Sequence, residues 1–251
     1  ELFVLEDNTF RIPIYAFRNP TVVFYKDGEV IASETIGSST LSSGQIKYIS
    51  IYGDDVNYDT FQERVTDANG TFEDNYCIQS FLNTYSIGAV DKITVSDSNG
   101  IETIKVNVIE ECKYEPKKVT FINKFGALQD MYFFKKSKEN LSIKKESYKS
   151  NIALNYGGYN STTHVNRDFN VIGNESISLS SGYLSEEYNE VFKQLMLSEK
   201  VWVTNILETG EQVLPINVKT SDITYKTSLN NKLVEYTIEF DKSFDTINNI
   251  R

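Results

Sequence analysis

Apolar and polar residues alternate along much of the chain in short runs that turn signals separate. An alternation of period two places successive side chains on opposite faces of a strand. In the first half the runs are TFRIPIYAF, PTVVFYKDGEVIASETI, QIKYISIYG, NYCIQSFL and DKITVSDSNGIETIKVNVIEE. In the second half they are SISLSSGYLS, KVWVTNIL, VLPINVKTSDITYKTS and KLVEYTIEFDKSF. Short, evenly spaced strands of this kind predict an all-β protein.

Two dipeptides predict hairpin turns within these runs. Asp27-Gly28 lies between two strand-like arms, and Asn99-Gly100 repeats the device, so residues 91–110 are a second predicted hairpin. Glycine suits these positions because it accepts the positive φ that such turns require. The segment from Asp54 to Asn75 is more polar and less periodic, and we expect long loops or irregular edge structure there.

A change in composition predicts the domain organisation. The stretch EECKYEPKK is charged and contains Pro116, which lacks a backbone donor and disfavours a central strand. We therefore expect two β-sandwich domains, an acidic one over 1–115 and a second over 116–251. The stretch VTFINKFGALQDMYFF follows this boundary and predicts a hairpin that opens the second domain, with the turn at Gly126 and MYFFKK as the returning strand.

One segment has helical periodicity. In SEEYNEVFKQLMLSEK the apolar residues recur at the spacing of one helical face, at Tyr188, Val191, Phe192, Leu195 and Met196. This spacing predicts one short amphipathic helix near 185–198.

The ends of this predicted helix carry the expected signals. Ser185 is a candidate N-cap, with Glu186 and Glu187 near the positive end of the helix dipole and Lys200 near the negative end. We expect the helix to cover an open end or an edge of the second sandwich.

Composition and charge narrow the function classes. The 16 Tyr and 15 Phe supply more large apolar surface than a disordered chain carries. The net charge of -10 lies in the first half, where residues 1–115 hold 8 Lys and Arg against 19 Asp and Glu. Such a surface repels phosphate backbones, so we expect no nucleic-acid binding through it. There is also no apolar run of about 18 residues, which a membrane-spanning helix needs.

Few residues offer chemistry. His164 is the single histidine and has no Cys or carboxylate pair at ligand spacing. Two acidic groups, Asp54, Asp55 and Asp59, and Glu73 with Asp74, do not have the spacing of a calcium loop. We therefore predict no metal site and interpret these acids as solvated loops.

The remaining candidates point away from catalysis. The chain lacks a G-x-S-x-G elbow and a phosphate-binding loop, and Asp130 is the only acid in the opening hairpin of the second domain. Cys77 and Cys112 are too few for a disulfide scaffold, so we expect two free buried thiols; spacing alone leaves open whether they meet across a sheet. Trp202 is the expected anchor of the second core. We predict no catalytic, cofactor-binding or metal-binding residue.

Three blocks of the second half carry a resemblance to a known group of proteins. They are KYEPKKVTFINKFGALQDMYFFKKSKE, SGYLSEEYNEVFKQLMLSEKVWV and VLPINVKTSDITYKTSLNNKLVEYTIEFDKSFDTINNIR. Together they resemble the C-terminal module of virion structural proteins from tailed phages of Bacteroidota, including the crAss-like group, over residues 90 to 251. The resemblance implies immunoglobulin-like or similar β-sandwiches and a non-enzymatic role in the tail or the head-to-tail ring.

The resemblance also implies partners and a location. The partners are other copies of the chain in a ring and other virion proteins, and the location is the virion, assembled in the bacterial host cytoplasm. The C-terminal FDTINNIR is a candidate for strand pairing with a neighbouring chain. Two other classes stay open: a cell-surface or virion adhesin that binds glycan or protein through sandwich loops, and a carbohydrate-active enzyme.

Overall fold

The structure is a computed structural model that describes residues 1–5, 10–15, 20–35, 46–51, 64–66, 72–74, 90–97, 100–111, 113–151, 162, 164–207, 210–222 and 233–246. These residues form eighteen β-strands and a single ten-residue helix. The prediction of an all-β protein with one short helix is therefore confirmed.

The strands of the first half are β1 (Leu2–Leu5), β2 (Phe10–Tyr15), β3 (Thr21–Lys26), β4 (Glu29–Thr35), β5 (Ile46–Ile51), β6 (Arg64–Thr66), β7 (Phe72–Asp74), β8 (Lys92–Asp97) and β9 (Gly100–Ile109). Five of them form one sheet in the order β1-β9-β8-β3-β4, and β2 pairs with β5. All pairs are antiparallel except β1 with β9, which is parallel.

Both predicted hairpins of the first half are confirmed. β3 pairs with β4 through a turn in which Asp27 has φ 50° and Gly28 has φ 85°. This left-handed pair of residues matches the right-handed twist of the flanking strands. β8 pairs with β9 up to the last pair, Asp97 with Gly100, so Gly100 begins β9, and Asn99 lies outside the described residues.

The five-stranded sheet and the β2–β5 pair share one hydrophobic core. The sheet contributes Val4, Val22, Phe24, Ile93 and Val106. From β2, Phe10 and Ile12 pack into the same cluster, since they are two residues apart and so point to the same face. The first half thus has two layers of strands around this core.

Of the polar segment from Asp54 to Asn75, where we expected long loops or irregular edge structure, the structure describes only 64–66 and 72–74. Within it, β6 and β7 form a short antiparallel pair, with Val65 opposite Glu73. Strands of three residues are too short to produce an alternation that can be recognised in the sequence.

The second half contains the strands β10 (Lys117–Ile122), β11 (Leu128–Phe133), β12 (Lys138–Lys149), β13 (Asn166–Ser180), β14 (Leu184–Ser185), β15 (Val201–Leu207), β16 (Gly210–Val218), β17 (Leu233–Val234) and β18 (Thr237–Lys242), with helix α1 (Tyr188–Leu197). Seven strands form an antiparallel sheet in the order β11-β10-β15-β16-β18-β13-β12, and β14 pairs with β17. The predicted hairpin of VTFINKFGALQDMYFF is confirmed as β10–β11.

Helix α1 packs on a face of the seven-stranded sheet, so the expectation that it covers an end or an edge is wrong. Phe192 is fully buried and lies between Phe133 of β11, at a ring distance of 6.4 Å, and Tyr236, at 4.6 Å. A helix with an apolar stripe and a sheet with an apolar face bury each other most completely when they are layered. No helix among the described residues is long and apolar enough to cross a membrane.

The predicted N-cap of this helix is also wrong. Ser185 belongs to β14 and pairs with Leu233, so its backbone is committed to a strand. Glu187 takes the N-cap position with φ -59° and ψ -25°, and no side chain caps the helix. The helix is therefore held by its apolar face, where Tyr188, Phe192 and Leu195 are buried.

Trp202 does not anchor the main core of the second half, contrary to the expectation. Its neighbours Val201 and Val203 face that core, and alternation along β15 turns Trp202 to the opposite face. There it is half-buried and packs with Ala127 and Leu128 in a small separate cluster.

Strand β11 lies between the two main cores. Met131 and Phe133 belong to the core under α1, whereas Tyr132 and Phe134 belong to the core of the first half. The Tyr132 ring stacks on Phe10 of β2 at 5.9 Å. Strand β9, which ends at Ile109, belongs to the five-stranded sheet, and β10, which begins at Lys117, belongs to the seven-stranded sheet. The domain boundary near residue 115 stays a prediction.

Candidate functional site

Among the described residues, those that the sequence singled out lie on different parts of the chain. His164 is exposed, and its backbone carbonyl accepts a hydrogen bond from Arg167 Nε at 3.4 Å. Within the described ranges, no group of three or more His, Cys, Asp or Glu side chains is arranged to hold a metal ion. Glu73 and Asp74 lie in β7. Five candidates fall outside the described residues: Asp54, Asp55, Asp59, Cys77 and Cys112.

Asp130 does lie in a polar cluster, although the sequence suggested an isolated acid. Thr120 Oγ1 donates a hydrogen bond to Asp130 Oδ1 at 2.7 Å, between residues that are directly opposite each other on β10 and β11. Lys118 lies two residues along on the same face, with Thr204 of β15 opposite it. All four side chains are buried, and Thr204 Oγ1 has no hydrogen-bond partner within the described part of the chain.

This buried cluster is better suited to joining strands than to catalysis. A buried carboxylate is stable only when it is hydrogen-bonded or paired, and Thr120 supplies one such bond. The cluster is closed to solvent, so it offers no path for a substrate. The signal for it was present in the alternation of KVTFI, which turns Lys118 and Thr120 away from the core that contains Val119 and Phe121.

An open cleft of about 460 Å³ lies between the C-terminal half of α1 and the β10–β11 turn. Lys124 is one of its lining residues: its Nζ bonds Glu190 at 3.1 Å and its backbone N–H donates to Gln194 Oε1 at 3.2 Å. The Lys124 ammonium lowers the pKa of the Glu190 carboxyl below its usual value. These contacts attach the hairpin to the helix. Lys124 and Glu190 bind each other, so neither serves as a free acid or base.

The most unusual feature is a long arm formed by β12 and β13. The two strands pair from Lys138 with Ser178 to Lys149 with Asn166. On its other side β13 pairs with β18 only over Ser176–Ser180, so most of the arm extends beyond the sheet. All twelve residues of β12 are exposed, and β12 is the last strand in the order of the sheet.

The arm exposes large apolar side chains. Leu141 and Ile143 are 57% and 58% exposed, and Tyr148 and Phe169 are 48% and 43% exposed. Tyr148 and Phe169 contact each other edge to face at 5.7 Å. Exposed apolar groups that are concentrated on one element mark contact surfaces, whereas single ones are ordinary.

A bulge interrupts the arm near its middle. The register shifts between Lys144 and Glu146, opposite Asn170, which has φ 49°. Lys145 lies within this shift, its Nζ bonds Asp168 Oδ2 at 2.8 Å, and this pairing raises the pKa of Lys145. A bulge of this kind bends the ribbon and increases its twist locally.

The base of the arm is tied to the C-terminal segment. Gly173 and Thr246 exchange two backbone hydrogen bonds of 2.8 Å, and Thr246 Oγ1 donates to Glu175 Oε1 at 2.9 Å. Lys242 also bonds Glu175, and these contacts lower the pKa of the Glu175 carboxyl. The start of FDTINNIR thus pairs within its own chain, and residues 247–251 lie outside the described part.

The sequence pattern does not predict this arm. The segment KENLSIKKESYK is rich in charged residues, and its side chains are exposed to solvent on both faces of the ribbon. No apolar face therefore marks this segment as a strand. The only local signal is the short alternation NLSI.

The chain was compared with protein-family models, with curated proteins and with solved structures, and it matches none of them.

Proposed function

We propose that the protein is a non-enzymatic structural component of a phage virion, a subunit of the tail or the head-to-tail ring that assembles through contacts with other copies of itself. The observation that carries the proposal is the β12–β13 arm, which has an exposed twelve-residue edge strand. A monomeric protein gains nothing from such an edge, because an unpaired edge is a template for strand pairing with another chain. An assembly subunit uses it for contact.

Three further features support this assignment. The arm exposes Leu141, Ile143, Tyr148 and Phe169, which a neighbouring subunit can cover. Asp130 is sealed in a buried cluster, away from any substrate. The resemblance of the second half to phage virion proteins implies a virion role and assembly in the host cytoplasm, and both are part of the proposal. The immunoglobulin-like form of the two predicted sandwiches is part of the proposal, and for the first half it is supported by two strand layers that enclose one core.

The test is the composition of purified particles. A phage that encodes this chain is banded on a density gradient, its proteins are quantified by mass spectrometry, and the particle is imaged by cryo-electron microscopy. We expect several copies of the chain per particle and a matching seven-stranded sheet in the tail or neck density. A host cytoplasmic enzyme quantified in parallel controls for contamination. Absence of the chain from clean particles would contradict the proposal.

The adhesin alternative has one observation in its favour. The exposed Tyr148 and Phe169 rings lie together on the arm, and aromatic faces are common platforms for binding apolar sugar surfaces. A glycan array with the purified chain tests this alternative. If Tyr148→Ala abolishes saturable binding while the exposed control Tyr183→Ala does not, the adhesin reading replaces the structural one.

A further inference from the structure

The outer edge of β12 has a charge pattern that is complementary to itself. Over Lys138–Glu146 the sequence reads KENLSIKKE, with the sequence KE at both ends and the apolar Leu141 and Ile143 on either side of Ser142. An antiparallel copy that is centred on Ser142 aligns each end with its complement. The opposed pairs are then Lys138 with Glu146, Glu139 with Lys145, Asn140 with Lys144, and Leu141 with Ile143.

From this pattern we infer that two copies of the chain pair edge to edge through β12, around a two-fold axis at Ser142, to form one sheet of fourteen strands. The inference deepens the proposed self-assembly, on which it rests, by naming the contact and its register. In such a pair each contact occurs twice because the interface is isologous. Four opposite-charge pairs and two apolar pairs therefore form across the axis.

Symmetry restricts the possible registers. A two-fold axis perpendicular to a sheet keeps each side chain on its own face, so every residue must pair with one that points to the same face. The axis therefore passes through a residue, and the registers next to Ser142 are centred on Leu141 and on Ile143. Centring on Leu141 places Lys138 opposite Lys144, which is repulsive. Centring on Ile143 places no opposite charges together. The register at Ser142 is favoured over both of its neighbours.

Burial of exposed apolar side chains favours this contact. Leu141 and Ile143 are more than half exposed in the single chain, and each would be covered by the other from the second copy. Opposed cross-strand pairs contribute about 0.2–1 kcal/mol each, in addition to the backbone hydrogen bonds of the new strand pair. Directly opposed residues of two paired strands point to the same face. Glu139 is opposite Ile177, which belongs to the main core, and Leu141 and Ile143 follow on the same face, opposite Glu175 and Gly173. Both apolar residues therefore lie on the face that carries the main core.

Charge reversal tests the register. Lys138 and Glu146 are eight residues apart in one chain, so they meet only across the axis; Lys145 is less suitable because it already binds Asp168. Lys138→Glu and Glu146→Lys each create two like-charge pairs, and the double variant Lys138→Glu/Glu146→Lys restores attraction. We expect each single variant to weaken the dimer by about 5- to 30-fold and the double variant to return to within about threefold of the wild type.

Sedimentation equilibrium on the four proteins gives these dissociation constants, with circular dichroism as the check on folding. A double variant that is no tighter than the single ones overturns the inference, as does a wild-type chain that stays monomeric up to millimolar concentration. If all four proteins dimerise equally, the copies meet through another surface: the inference then fails while the proposed self-assembly survives. Presence of the chain in virions is measured independently.

A cysteine pair gives a second readout. In the proposed register the two Ser142 residues are directly opposite, at a Cα separation of about 4.5–5.5 Å, which suits a disulfide. Ser147→Cys is the matched control on the same exposed strand, because its two copies would lie about 34 Å apart. We expect mild oxidation to link Ser142→Cys chains through position 142, identified by mass spectrometry of the linked peptide. Equal linking through position 147 would refute the register.

Discussion

Tyr132 and Phe133 are adjacent in β11, yet they are buried in two different hydrophobic cores. Tyr132 stacks on Phe10 in the first half, and Phe133 packs edge to face with Phe192 of α1 and Phe240 of β18. An edge strand normally has one face or one side in contact with solvent. Here the chain covers β11 on both faces, which joins the acidic half of the protein to the seven-stranded sheet.

Removal of the Phe133 ring should destabilise the protein strongly. The side chain is fully buried and contacts two other rings, so Phe133→Ala leaves a cavity that costs about 3–5 kcal/mol in the free energy of unfolding. Urea denaturation followed by circular dichroism measures this loss. Phe125→Ala is the control, since that ring is 67% exposed and its loss should change stability by less than about 0.5 kcal/mol. Equal effects would contradict the assigned burial.

The β10–β11 turn should depend on the side chain of Asn123. Its Oδ1 accepts hydrogen bonds from the N–H groups of Phe125 and Ala127, both at 3.0 Å. Asn123→Ala leaves these donors without that acceptor, and Ala127 is buried, so we expect a loss of about 1–3 kcal/mol. Asn123→Asp keeps the acceptor and should lose less. A larger loss for Asp than for Ala in urea denaturation would show that the acceptor is not what matters.

The base of the arm should contribute stability that depends on pH. Because the pKa of Glu175 is lowered below its ordinary 4.5 in the folded protein, the unfolded chain takes up the proton first as pH falls. The stabilisation is therefore complete above that ordinary value and is lost as pH falls through the folded-state pKa. Glu175→Gln should flatten the stability curve where the pH falls from that ordinary value through the folded-state pKa.

Denaturation at a series of pH values measures the difference between the wild type and Glu175→Gln. The exposed Glu102 in the first sheet provides the control variant Glu102→Gln. If the curves of the wild type and Glu175→Gln stay parallel over the whole range, the contacts with Lys242 and Thr246 do not stabilise the charged form.

Strand β1 should be held in place by helix α1. Tyr188 Oη accepts a hydrogen bond from the backbone N–H of Phe3 at 2.9 Å, and the two rings lie 5.5 Å apart. Tyr188→Phe keeps the ring but removes the acceptor, so we expect faster amide exchange at Phe3 and a loss of about 1 kcal/mol. Tyr183→Phe, at a ring that is 68% exposed, should change neither quantity. Unchanged exchange at Phe3 would contradict this role.

The arm shows where prediction from the sequence stops. Two hairpins of the first half and the opening hairpin of the second were predictable because glycines interrupt the alternating runs, with Gly28 and Gly126 in the turns and Gly100 at the start of β9. Strand β12 was not predictable, because it is held by backbone pairing with β13. Such pairing does not require apolar side chains at alternate positions, so the sequence carries no periodic signal. The buried pair of Thr120 and Asp130 likewise depends on the register between two strands, which no single strand reveals.

The sequence by itself determined the all-β class, the apolar face of α1 and the alternation that separates Val201 and Val203 from Trp202. These are local properties, since the period of two or 3.6 residues follows from backbone geometry. Only the tertiary structure decided what covers each face: the helix lies over the sheet, Trp202 falls outside the main core, and Tyr132 reaches the other half. The reason is that the hydrophobic effect is not directional. Alternation assigns each residue to a face of its strand, but the long-range packing of the strands determines which layer covers that face.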